Sequence, residues 1–145
     1  MQARLMPSMA LGLATALMLS TSVLAEEVSF SAELLGSAAV PANDSAGTGT
    51  VEATLDSETK VFKWSVTYEG LTGPATAAHF HGPADPGQTA GPVVPVEDLE
   101  SPMEGEATLD DAQIADLQAG KWYFNIHTAQ YPDGEIRGQM QHSAD

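Results

Sequence analysis

The chain has 145 residues, with 20 acidic against five basic side chains, a formal net charge of −15 and no cysteine. A field of that sign repels phosphate backbones and anionic lipid, which argues against a nucleic-acid partner and favours metal cations or basic extracellular proteins. Without cysteine there is no disulfide to staple the fold and no thiolate to act as nucleophile or ligand.

The N-terminus has Arg4, then a stretch from Leu5 to Leu24 that is apolar apart from a few hydroxyls, with Val23 and Ala25 where a small-residue cleavage site needs them. This is the pattern of a secretory signal peptide over residues 1–25. Pro7, Gly12 and Ser20-Thr21-Ser22 interrupt it too often for the roughly 20 apolar residues that span a bilayer, so stable membrane insertion is not expected. The expectation is export, to periplasm or medium, of a single domain over 26–145. Arg4 leaves with the signal, and the mature chain is then more acidic still.

Val28, Phe30, Ala32 and Leu34 alternate with polar residues, the period of a strand with one buried face. After the turn-forming Pro41–Gly47 segment, Val51, Ala53 and Leu55 alternate up to a turn at Asp56–Thr59. Phe62, Trp64, Val66 and Tyr68 then form the clearest stripe. A small-residue strand is expected from Ala75 to His81, a Gly/Pro-rich loop from Gly82 to Pro92, and short strands over Val93–Val96 and Gly105–Leu109. Asp110 with Gln113 reads as a capping box opening one short helix that Gly120 ends. Trp122, Phe124 and Ile126 make another stripe, and the turn Tyr131–Gly134 leads into a last strand, Glu135–Gln139. The expected fold is all-β: an antiparallel Greek-key sandwich or barrel of about eight strands with one short helix.

Candidate chemistry sits on the histidines. His79 and His81 flank Phe80 on a strand, so both imidazoles leave one face while Phe80 leaves the other. His127 falls out of step with Trp122, Phe124 and Ile126, which groups it with Tyr123 and Asn125. If the two strands are neighbours, three imidazoles converge, a donor set suited to copper, with zinc the weaker option. Glu135 could orient a ligand by accepting an imidazole N–H, or pair with Arg137 on the same strand face. The competing reading makes all of these a structural hydrogen-bond network. His142, near a polar terminus, reads as a surface residue. Four of the six methionines leave with the signal, and Met103 and Met140 stand apart, so methionine ligation has no support. No Ser/His/Asp order, phosphate-binding glycine loop or EF-hand spacing is present, and no catalytic residue is assigned.

Phe30-Ser31-Ala32-Glu33-Leu34, Val40-Pro41, Tyr68-Glu69-Gly70-Leu71-Thr72-Gly73, Ala77-Ala78-His79-Phe80-His81-Gly82-Pro83-Ala84, Asn125-Ile126-His127-Thr128 and Gly134-Glu135-Ile136-Arg137-Gly138-Gln139 occur in an order that resembles the CHRD (chordin-type) domain family over Val28–Met140. Ala39-Val40-Pro41-Ala42 departs from the family's acidic residue before Val-Pro-Pro. The resemblance implies an extracellular β domain, first noted in a secreted growth-factor antagonist, and does not by itself fix an activity. A weaker resemblance links Ala78–Gly82, the loop after it and the closing Arg137-Gly138 strand to copper/zinc superoxide dismutases, whose barrel presents a His-x-His pair to copper. No histidine lies between His81 and His127 to bridge two metals and no cysteine is present, which argues against dismutase chemistry. The expected function is therefore a copper-handling exported protein. Its alternatives are a non-catalytic matrix or interaction module and a dismutase-like redox enzyme.

Overall fold

The structure is a computed structural model that describes residues 10, 12–16 and 26–143. The signal peptide and its cleavage site lie, apart from a few positions, outside the described residues. Among the described residues no helix is long and apolar enough to cross a membrane.

Nine strands form one antiparallel sheet that is nearly closed into a barrel: β1 (Glu27–Leu35), β2 (Thr48–Asp56), β3 (Val61–Glu69), β4 (Ala75–His81), β5 (Pro92–Pro95), β6 (Met103–Thr108), β7 (Tyr123–Thr128), β8 (Ile136–Gln139) and β9 (Gln141–His142). The order across the sheet is β5-β4-β7-β8-β1-β2-β3-β6, with β9 paired to β1. One helix, α1 (Asp111–Gln118), links β6 to β7, and a 3-10 turn over Gly36–Ala38 follows β1.

The strands begin and end where turn chemistry dictates. The β2–β3 hairpin closes on Asp56, whose Oδ1 accepts from the backbone N–H of Glu58 and Thr59, both at 2.9 Å. Those bonds hold its carboxyl below the usual aspartate value. The expected capping box is present on α1: Asp110 Oδ1 accepts from Gln113 N at 2.8 Å, and Gln113 Oε1 accepts from Asp110 N at 2.9 Å. Gly120 follows with φ +75°, the left-handed conformation that ends a helix at little cost only in glycine.

The apolar stripes meet in one core. Phe30 and Leu34 of β1, Val51 and Leu55 of β2, and Phe62, Trp64 and Val66 of β3 turn inward against Phe80, Trp122, Phe124 and Ile126. Tyr68 ends the β3 stripe half-buried, its hydroxyl donating to Leu99 O at 2.5 Å. Met103 and Met140 are fully buried core residues. Phe80 is the anchor that matters for the site. Its ring lies 4.8 Å from Phe124, 5.1 Å from Phe62 and 5.3 Å from Trp64, centroid to centroid. Burying it fixes the parity of β4, and so turns His79 and His81 onto the outer face.

Candidate metal centre

β4 and β7 are hydrogen-bonded neighbours, with Ala77 opposite His127, His79 opposite Asn125 and His81 opposite Tyr123. His127 is thus one diagonal step from His79 on the same face, within reach of a second imidazole. The structure brings all three predicted histidines together: one ligand-type nitrogen from each lies within 4.8 Å of the other two. Their ring centroids are 5.4 Å apart for His79–His81, 5.3 Å for His79–His127 and 6.3 Å for His81–His127.

Each ring is held differently. His127 Nδ1–H donates to Pro132 O at 2.8 Å, leaving its Nε2 as a lone pair. That Nε2 and His79 Nδ1 are both buried without any hydrogen-bond partner. Buried polar atoms are almost always paired, so two orphaned imidazole nitrogens in one cluster call for an explanation. His81 is more constrained. Nδ1–H donates to Ala90 O at 2.9 Å, its ring stacks on Tyr123 at 4.7 Å, and its Nε2 lies 2.9 Å from the Asn125 side-chain amide. The atom facing Nε2 is the amide oxygen, Asn125 Oδ1, so both ring nitrogens of His81 face acceptors, and a neutral ring donates to one of them at a time.

Electrostatics disfavour the protonated form of His79 and His81. Burial, and then the neighbouring His127 and His81, lower the pKa of His79. Burial also lowers that of His81, against the acceptors Ala90 O and Asn125 Oδ1, which raise it. Neutral imidazole is the ligating form. Three nitrogens at about 2.0–2.1 Å from a tetrahedral ion would stand roughly 3.3 Å apart. Closing from 4.8 Å needs modest ring rotations and the release of His81 Nε2 from Asn125. The residues present thus fit a three-nitrogen metal site.

Glu135 and Arg137 are placed otherwise than expected. Glu135 is wholly buried, and its oxygens go to no imidazole and not to Arg137. Ser45 Oγ donates at 2.7 Å, Thr128 Oγ1 at 2.8 Å, Thr72 N at 3.0 Å, and Thr72 Oγ1 donates as well. Glu135 lies one residue before β8. There the Asn43–Gly47 and Leu71–Thr72 loops converge on it before any histidine can. Arg137 instead sets its guanidinium 3.5 Å over the Tyr123 ring. In the strand order β4-β7-β8, Tyr123 lies between His81 and Arg137.

Sequence reasoning missed the carbonyls of Ala90 and Pro132, which sit on loops without periodicity, and the donors Ser45, Thr72 and Thr128. Asn125 was grouped correctly with His127 by parity, yet not recognised as a partner of His81. His142 lies on β9, exposed as expected, and packs at a tilt on Phe30, ring centroids 4.7 Å apart.

No curated protein and no solved structure matched the chain. The family profile of the CHRD domain does match, over residues 30–140, a span that holds all three histidines and every strand except the first residues of β1 and the two-residue β9. On that match, the chain belongs to the CHRD domain family.

Proposed function

We propose that this CHRD-domain protein is exported and holds a transition-metal ion, copper before zinc, through His79, His81 and His127, for metal handling or stress protection. The observation that carries the reading is the pair of orphaned nitrogens, His79 Nδ1 and His127 Nε2, buried within one imidazole cluster. An all-imidazole set suits copper, which binds nitrogen sites more tightly than its first-row neighbours. The acidic charge of the chain favours cation capture, and the N-terminal pattern supports export. Purified from culture medium or periplasm, the chain is expected to start at Glu26; a chain starting at Met1 would count against export.

The test is metal analysis after incubation with copper and zinc and extensive dialysis. About one ion per chain is expected, lost in folded His79→Ala and His127→Ala variants, with nitrogen hyperfine structure in the copper spectrum. No retained metal, with a lower melting temperature in the variants, would overturn the reading. It would favour the second one, an extracellular interaction module with a structural histidine network. The observation on that side is His81, both of whose nitrogens already have partners.

A further inference from the structure

The chain contains four cationic side chains beyond residue 25, and three of them are matched. Lys60, Lys63 and Lys121 are surface residues facing Asp111, Glu106 and Asp85 at 2.7, 3.9 and 2.9 Å. Arg137 is the fourth. It is only 3% exposed, and among the described residues no carboxylate comes within ion-pair distance, although the sequence holds 20. Its hydrogen bonds are two long ones from Nη2, to Asp85 O and Gln139 Oε1, both 3.4 Å. Gln139 is itself occupied, its Nε2 donating to Ala84 O and Gly120 O.

A buried charge without a counter-charge is costly, and a guanidinium stays protonated where a lysine could discharge. Tyr123 offers its ring face, which offsets part of that cost but supplies no acceptor to the planar fork, whose hydrogen bonds are the two long ones from Nη2. Arg137 lines a cavity of about 260 Å³, together with Asn125, His81, His127, Tyr123 and Thr89. A buried cationic fork, a side-chain amide and imidazole edges around one small space form a recognition set for a carboxylate-sized anion. Asp133, exposed on the rim, makes no ion pair with Arg137 and discourages larger or multiply charged anions.

We propose that this cavity is a binding site for a small monocarboxylate of formate or acetate size, with Arg137 holding both oxygens and the Asn125 amide donating to one of them. The site stands without a metal. What depends on the three-histidine reading is the further consequence that the anion lies beside the metal ion, because His81 and His127 line the same cavity.

The experiment is a titration of chelator-treated, metal-free protein with sodium formate at constant ionic strength, following the Arg137 Nε–H and Asn125 amide resonances by NMR. Saturable shifts in the millimolar range are expected. Affinity should fall by about tenfold or more in Arg137→Lys, which keeps the charge but not the fork. In Thr89→Trp, which fills the exposed mouth without touching Arg137, the shifts should vanish while the rest of the spectrum stays native. Shifts that grow linearly without saturating, or equal affinity in wild type and Thr89→Trp, would overturn the proposal. Failure of the protein to hold copper in a parallel dialysis would sink the metal reading and leave this result standing.

Discussion

Replacing Gly138 with alanine is expected to abolish or nearly abolish folding, with a loss of about 3–5 kcal/mol. Gly138 lies on β8 where that strand crosses β1. A Cβ there would fall on the Glu33 carbonyl oxygen, with the Glu33 carbonyl carbon at 2.9 Å and Leu34 Cδ2 at 3.0 Å. The obstacle is mostly backbone, which cannot rotate aside as a side chain can. Relief requires β8 and β1 to part, and their junction is what joins the β5-β4-β7-β8 half of the sheet to the β1-β2-β3-β6 half. A domain with only about 5–15 kcal/mol of total stability cannot absorb such a loss comfortably. Urea unfolding followed by tryptophan fluorescence measures it, with Gly73→Ala as the control. A Cβ at Gly73 meets nothing within 4 Å, and the control should fall within about 0.5 kcal/mol of the parent. A Gly138→Ala variant as stable as that control would mean that β1 and β8 are farther apart than described.

Glu135→Ala is expected to cost about 3–5 kcal/mol, because it strands several partly or fully buried donors at about 1–3 kcal/mol each. Ser45, Thr72 and Thr128 would lose their common acceptor, and with it the Asn43–Gly47 and Leu71–Thr72 loops would lose the group that ties them to β7 and β8. The pH dependence identifies the carboxylate. Burial raises its pKa, and the hydrogen bonds from Thr72, Ser45 and Thr128 more than offset this, so the folded value lies below the ordinary 4.5. A group with a lowered folded pKa stabilises the fold above its unfolded value and ceases to do so as pH falls toward its folded value. Stability should therefore decline below about pH 4.5 in the parent, and that step should be missing in Glu135→Gln. His79 and His81, lowered from 6.5, add an earlier loss on acidification, because the unfolded chain takes up protons there that the folded chain resists. Denaturant melts at several pH values between 3 and 8 would separate the two. An unchanged acid step in Glu135→Gln would assign it to another carboxylate.

Period-2 alternation in the sequence predicts most of the strands to within a residue or two, and the turn signals on either side place β4, Ala75–His81, to the residue. It works because an aromatic or branched side chain every second residue has one physical option in a thin β domain, the core. Parity also assigned the faces correctly, since burying Phe80 in β4 and Phe124 and Ile126 in β7 leaves His79, His81 and His127 nowhere but outward. The helix was legible because the capping box is a local pattern, its two hydrogen bonds closing between residues three apart.

Alternation says which face a side chain takes and nothing about which strand lies next to it. That β4 neighbours β7, and that Ala77 rather than His79 faces His127, depends on chain crossovers between distant segments. The partners of Glu135 and Arg137 are hidden for the same reason. From the sequence they are two opposite charges two residues apart on one strand face. In the fold, loops more than 60 residues away supply the donors that claim the first, and the Tyr123 ring claims the second. Family membership, strand placement and the outward histidines were thus determined by residue order alone, because each follows from local periodicity or a contiguous motif. The convergence of the imidazoles, the buried carboxylate hub and the arginine without a counter-charge were decided by tertiary structure, because each depends on strand adjacency and loop closure.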